Sequence, residues 1–268
     1  MTLEIRILGC GSSGGVPRIG RDGPDWGDCD PGESRNRRSR SSVLVTQTGN
    51  DGATRVLVDT SPDLREQSLA ARAGMLDGVL ITHDHADQTH GLDDLRVISM
   101  NMKRRVDVWS DGPTLKGLMA KFGYCFATPP GSGYPPILNG HEIPEPFAPF
   151  AIAGAGGSLE VRAFAVGHGR IRSLGFRFGP FAYCPDADAL DAAAFAALEG
   201  TQCWIVDALR RRPHPSHAHL ERTLEWIARV GPRRAILTNM HIDLDYATLK
   251  RELPPGVEPA HDGMTLIL

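Results

Sequence analysis

Alternating and unbroken apolar runs predict a chain of short strands separated by a few helices. Residues 1–8 alternate with period two, and the runs 42–45 and 55–58 flank an Asn-Asp-Gly turn, which predicts a hairpin. Further strands are predicted at 79–81, 106–109, 159–166, 174–178, 181–184, 203–206 and 235–238. Helical spacing predicts helices over 64–73, 91–102, 191–198 and 220–230, the third capped by Asp188 or Asp191.

The order of these elements predicts an α/β protein. Strands at both ends with helices between them indicate two β-sheets packed on each other with helices outside. A chain of 268 residues, 41% of them hydrophobic, is expected to form one domain over 1–268. Residues 128–149 are rich in proline, which excludes a helix or a central strand and predicts a surface insertion or lid.

Charge and cysteine content narrow the cellular setting. A net charge of −3 predicts no extended nucleic-acid surface, although a small anionic substrate stays open. Five scattered cysteines without a Cys-x-x-Cys pair fit a reduced cytoplasm. The start does not resemble a signal peptide, and no apolar run approaches the roughly 20 residues that span a membrane. The polar segment 18–41, rich in arginine, is either a solvated loop or an arm that contacts an anion or a dimer partner.

The strongest chemical pattern follows the strand 79–81, where His83, His85, Asp87 and His90 lie within eight residues. Side chains two positions apart on an extended segment share a face, so His83 and His85 point the same way. Asp87, two positions further on, is expected on the same face. Imidazole and carboxylate groups suit Zn, Mn or Fe, and the lack of nearby cysteine favours an open, catalytic metal site. The alternative is a polar loop whose histidines only form hydrogen bonds.

This block resembles the His-x-His-x-Asp-His signature of the metallo-β-lactamase superfamily. Four other blocks fall in that superfamily's order: 56–60 (Val-Leu-Val-Asp-Thr), 167–169 (Gly-His-Gly), 183–186 (Tyr-Cys-Pro-Asp) and 237–241 (Leu-Thr-Asn-Met-His). The chain is most similar to the phosphodiesterases accessory to carbon–phosphorus lyase and, more distantly, to ribonuclease Z. The resemblance implies an αββα sandwich of two mixed β-sheets flanked by helices, and a homodimer.

The resemblance also implies the metal ligands, for one or two divalent ions of Zn or Mn. By position, His83, His85 and His168 hold the first ion, Asp186 bridges to a second, and Asp87 binds the second ion and takes part in catalysis. An aspartate at position 59 supports a metal-binding histidine from behind.

The second ion's remaining histidines depart from the superfamily's pattern. They should stand at 88 and 239, where this chain has Gln88 and Asn239, and amides are poor ligands for transition metals. A histidine follows two residues later in each case. Either His90 and His241 rebuild the second site, or they form hydrogen bonds to each other or to substrate and only one ion binds tightly.

A bound divalent metal supplies hydroxide at neutral pH, so hydrolysis is the expected reaction. The resemblance favours a phosphodiesterase that cleaves small cyclic ribose or nucleotide phosphodiesters, with His217 as general acid. His214 is expected to be a loop residue or the partner of Asp207. The alternatives are a ribonuclease Z-like nuclease acting on tRNA, a glyoxalase-II-like thioesterase, and a catalytically idle metal- or nucleotide-binding protein.

Overall fold

The computed structural model describes residues 2–268, which divide into two compact units that are each discontinuous in sequence. The first unit comprises residues 2–8, 42–160 and 265–268, and the second comprises residues 9–41 and 161–264. Because this division does not test whether the units fold separately, the single domain stays a prediction.

The strands are, in chain order, β1 (Thr2–Gly9), β2 (Arg18–Gly20), β3 (Gly23–Asp25), β4 (Ser42–Gly49), β5 (Gly52–Val58), β6 (Gly78–Leu80), β7 (Val106–Ser110), β8 (Leu138–Glu142), β9 (Phe150–Gly154), β10 (Gly157–His168), β11 (Ile171–Phe178), β12 (Phe181–Cys184), β13 (Cys203–Asp207), β14 (Arg234–Thr238), β15 (Val257–Pro259) and β16 (Thr265–Ile267). The α-helices are α1 (Leu64–Ala71), α2 (Ala86–Thr89), α3 (Leu95–Met102), α4 (Gly112–Phe126), α5 (Ala192–Leu198), α6 (Leu220–Val230) and α7 (Tyr246–Glu252).

The first large sheet is mixed and has the order β16-β1-β4-β5-β6-β7-β8. Strands β4 and β5 form the predicted antiparallel hairpin, and β5 to β8 run parallel to one another. Aliphatic side chains from these strands and from α1, α3 and α4 form one buried cluster, in which Leu57, Val79 and Leu118 are almost completely buried. Burial of this apolar surface is the main term that holds the first unit together.

The second large sheet is also mixed and has the order β15-β14-β13-β12-β11-β10-β9. Strands β12 to β15 are parallel, while β10, β11 and β12 are paired antiparallel. Every residue of β13 is buried, as expected for a central strand of a sheet covered on both faces. Aromatic side chains, among them Phe176, Tyr183 and Trp204, fill the interior around it.

Several predicted elements are confirmed. Helix α6 has the predicted bounds, and α5 is capped by Asp191, whose Oδ1 accepts a hydrogen bond from the Ala194 amide at 2.8 Å. Residues 128–149 contain no helix, as predicted. They do include β8, which lies at the edge of the first sheet, where proline is tolerated.

Other elements were not predicted. The longest described helix, α4, begins at an Asp111 cap followed by Pro113 in the first turn, and α7 begins at an Asp245 cap.

No described helix is both long and apolar enough to cross a membrane. All five cysteines are buried free thiols.

Candidate metal centre

The first unit carries one set of candidate ligands on a single short segment after β6. His83 is buried and His85 is exposed, and their rings meet edge to face with centroids 4.5 Å apart. Asp87 is half-buried in the first turn of α2. The structure therefore brings the two imidazoles of the His-x-His pair together, as the parity of an extended segment predicts.

A buried hydrogen-bond chain orients His83. Asp59 accepts hydrogen bonds from the Thr82 amide at 2.8 Å and from Thr82 Oγ1 at 3.0 Å. Because the single hydroxyl proton of Thr82 goes to Asp59, its Oγ1 accepts from Nδ1 of His83 at 3.0 Å. An imidazole protonated at Nδ1 binds metal through Nε2. Burial raises the pKa of Asp59 well above its ordinary value, and the Thr82 donors act in the opposite direction.

Helix α4 holds the residue between the two histidines. Lys121 donates to Asp84 Oδ2 at 2.8 Å, and a side chain at Gly117 would collide with the same carboxylate. The next turn is held less firmly: His90 is exposed, and its ring meets Phe122 with centroids 5.8 Å apart. This clamp by α4 was not anticipated, since α4 itself was not predicted.

The second unit carries another set of candidate ligands, drawn from three separate segments. His168 ends β10, Asp186 follows β12, and His217 stands in the loop before α6. Their ligand atoms all lie within 4.8 Å of one another, and the His168 and His217 ring centroids are 4.7 Å apart. His217 therefore belongs to a group able to hold a metal, which its predicted role as general acid did not include.

Carbonyl and carboxylate acceptors fix both histidines of this set through Nδ1. His168 donates to the Ser216 carbonyl oxygen at 2.6 Å, and His217 lies 2.8 Å from Asp207 Oδ2. Burial raises the pKa of Asp207, while the contact with His217 acts in the opposite direction. Of the two roles expected for His214, the structure shows the loop residue: its Nδ1 accepts from the Ser216 amide at 3.3 Å, and His217 is the histidine that contacts Asp207.

Asn239 supports this cluster through its side-chain amide. It adopts a left-handed backbone conformation with φ of 60° just after β14. Its Nδ2 donates to the Pro185 carbonyl at 3.0 Å and to Asp186 Oδ1 at 3.1 Å, and it lies 3.2 Å from His217 Nδ1. The amide at this position thus orients a carboxylate, a function that sequence reasoning missed when it judged Asn239 only as a metal ligand.

His241 is not part of that group. Its Nε2 lies 3.0 Å from Arg18 Nη1, and its Nδ1 lies 3.3 Å from Asp243 Oδ1. His214 stands nearby in the same unit, where burial and then the charges of His217, Arg210 and His241 lower its pKa.

The donor types fit a divalent transition metal. Imidazole nitrogens and a carboxylate are the ligands that Zn and Mn use in open, catalytic sites. Each histidine whose ring is oriented by a carboxylate, carbonyl or hydroxyl shows the hydrogen bonding expected behind a metal ligand.

The comparison with known families adds a decisive observation. Residues 54–242 match the family described as Beta-lactamase superfamily domain. The chain belongs to this superfamily. The mixed sheets and flanking helices described above match the fold of its members, so the predicted fold class and the predicted resemblance are confirmed.

Proteins similar to the chain carry names that state different activities. An octanoyltransferase of Porphyromonas gingivalis (strain ATCC BAA-308 / W83) is 32% identical over 271 residues, which cover 99% of this chain and 52% of that protein. The chain thus spans about half the length of the curated relatives it matches. The crystal structure of a new diphosphatase from the PhnP family is 31% identical, covers 100% of this chain and 98% of that one, and has a TM-score of 0.86. Human tRNase Z, short form, is 17% identical over 98% of both chains with a TM-score of 0.62, which shows a shared fold alone.

Proposed function

We propose that the chain is a metal-dependent hydrolase that cleaves small phosphodiesters, such as cyclic ribose or nucleotide phosphodiesters. The similarity to a PhnP-family diphosphatase over nearly the full length of both chains carries this proposal. The same similarity favours a second candidate, hydrolysis of a diphosphate. Both reactions transfer a phosphoryl group to water, so one set of side chains serves either.

The proposed metal ligands are His83, His85, His168 and Asp186, with Asp87 at a second ion. This assignment rests on superfamily membership and on the order of the motifs along the chain. When bound, Zn or Mn lowers the pKa of a coordinated water toward 7 and stabilises charge on the phosphoryl oxygens. The number of bound ions depends on His90 and His241. These are the histidines that stand two residues after Gln88 and Asn239.

His217 is the proposed proton donor to the departing oxygen. Its Nδ1 lies 2.8 Å from Asp207, so Nε2 is the nitrogen that can face a substrate. An imidazole whose Nδ1 proton is given to Asp207 must also carry a proton on Nε2 to act as the donor. A sugar alkoxide is a strongly basic leaving group, and a donor with a pKa near neutrality increases the rate by about 10² to 10⁴.

A substrate panel tests the function. The metal-loaded protein is expected to hydrolyse bis(p-nitrophenyl) phosphate and a 2′,3′-cyclic nucleotide, to lose both activities with a chelator, and to regain them with Zn or Mn. His141→Ala is a matched control. This histidine stacks on Trp109 and contacts Asp107, and it lies in none of the segments that carry candidate metal ligands.

Other results would contradict the proposal. Turnover of p-nitrophenyl octanoate without phosphodiester turnover would assign acyl chemistry, and processing of precursor tRNA alone would assign nuclease chemistry. Metal binding without turnover of any of these substrates would indicate a binding protein.

A further inference from the structure

Four charged or polar side chains form a continuous chain beside the end of β14. Asp25 Oδ2 accepts from Arg18 Nη2 at 2.9 Å, Arg18 Nη1 lies 3.0 Å from His241 Nε2, and His241 Nδ1 lies 3.3 Å from Asp243. A guanidinium can only donate, so Nε2 of His241 accepts and Nδ1 carries the proton that faces Asp243. The chain therefore fixes both the His241 tautomer and the orientation of the Arg18 fork.

Arg18 is both held and accessible. It lies on the β2–β3 hairpin directly opposite Asp25, so the register of the hairpin itself sets the ion pair. Its side chain is 39% exposed. A guanidinium has five N–H donors, and the contacts to Asp25 and His241 engage only some of them. A planar fork held in this way matches the oxygens of a phosphate group.

The location is close to the proposed cleavage site. His241 follows Asn239 by two residues, so their Cα atoms are at most about 7 Å apart. Asn239 in turn contacts Asp186. A further cation lies nearby: the His241 amide donates to the Leu209 carbonyl, which brings the neighbouring Arg210 close, and the Arg210 side chain donates to the Arg212 and Pro213 carbonyls.

We propose that Arg18, held in place by His241, forms a subsite for a second phosphate group of the substrate, adjacent to the phosphate that is cleaved. The ligand class is a nucleotide or sugar ester with two linked phosphates. This inference rests on the proposed function, through its second candidate, the diphosphate, and narrows the substrate. A cation next to Nε2 also opposes a metal ion there, so the subsite and the metal interpretation of His241 make opposite predictions.

Binding of two nucleotides to the metal-loaded full chain tests the subsite. Adenosine 5′-monophosphate carries one phosphate, and α,β-methylene-adenosine 5′-diphosphate carries two that cannot be cleaved apart. Calorimetry gives the ratio of the two affinities for the wild type, Arg18→Met, Arg18→Lys and the control Arg21→Met. Arg21 lies in the exposed turn of the same hairpin.

We expect Arg18→Met to lower the preference for two phosphates by about 10- to 100-fold, the usual effect of losing a charge-assisted hydrogen bond. Arg18→Lys keeps the charge but not the fork, so its loss should be intermediate. Arg21→Met should stay within about twofold of the wild type. Melting curves establish that each variant is folded, and Arg18→Lys carries the test if Arg18→Met is not.

Two results would overturn the subsite. One is an equal preference in Arg18→Met and Arg21→Met, and the other is the loss of one equivalent of metal in His241→Asn, which would assign His241 to the metal centre. The proposed function fails separately. A wild type that prefers two phosphates through Arg18 but never hydrolyses bis(p-nitrophenyl) phosphate keeps the anion subsite and refutes the phosphodiesterase.

Discussion

The two units position their candidate metal ligands by different means. In the first unit, His83, His85 and Asp87 come from five consecutive residues after one strand. In the second unit, the ligands His168, Asp186 and His217 come from three segments up to 49 positions apart. Hydrogen bonds to Asp207, Ser216 and Asn239 join them. Local geometry suffices for the first set, whereas the second depends on a buried polar network. Such networks lose much of their value when one member is removed.

The largest expected effect is the loss of metal when a ligand is removed from either unit. It shows whether one ion needs candidate ligands from both units. We expect His85→Ala and His168→Ala each to lower metal affinity by more than about a hundredfold, since loss of a supporting residue alone costs 10- to 100-fold. Elemental analysis after dialysis measures the metal, with His141→Ala as control. Full metal content in His85→Ala would contradict a role for the first unit's ligands, because the second unit's ligands would then hold the ion unaided.

The next effect concerns His217. It tests whether the buried network of the second unit positions a proton donor. We expect His217→Ala to slow cleavage of a 2′,3′-cyclic nucleotide by about 10² to 10⁴, and cleavage of an ester with a p-nitrophenolate leaving group far less. That leaving group needs little protonation. Equal losses on both substrates, or loss of metal from the variant, would make His217 a ligand or a positioning residue instead.

The residues behind the ligands allow a direct comparison of the units. Asp207 contacts His217 itself, whereas Asp59 acts on His83 through Thr82. We therefore expect Asp207→Asn to reduce turnover toward the upper end of the roughly 10- to 100-fold range, and Asp59→Asn to reduce metal affinity toward its lower end. Metal titration and the pH profile of turnover measure the two effects. The reverse order would show that the local set is the more fragile one.

The smallest expected effect is the acid sensitivity of the second unit away from the ligands. Burial raises the pKa of Asp245, but hydrogen bonds from Asn36, the Thr248 amide and the Asp30 amide outweigh it and hold the pKa at about 2. A lowered folded-state pKa contributes stability that is complete above the ordinary value of 3.8 and is lost as the pH falls toward 2.

Melting temperatures at pH 7 and pH 3 measure this contribution. Asp245→Asn should destabilise the protein at pH 7 by about 1 kcal/mol, the usual worth of a helix cap, or about 2–4 °C. The difference from the wild type should shrink at pH 3. A difference that does not change with pH would mean that the Asp245 charge contributes nothing.

Prediction from sequence succeeded where the determining contacts are close in the chain. The β4–β5 hairpin, helix α6 and the Asp191 cap of α5 follow from turn, periodicity and capping rules that operate within a few residues. Helix α4 was missed although Asp111 and Pro113 mark its start. Its glycines and its irregular Phe122 weaken the helical pattern, and packing against Asp84 and the first unit's core compensates.

The sequence alone determined the superfamily, the two-sheet fold class and the shared face of His83 and His85, because periodicity and motif order are properties of the chain. Only the tertiary structure decided which histidine meets Asp207, that Asn239 serves Asp186, and that Arg18 faces His241. Each of these contacts joins residues that are 10 to 223 positions apart. Their formation depends on strand register and loop path, which no local pattern encodes.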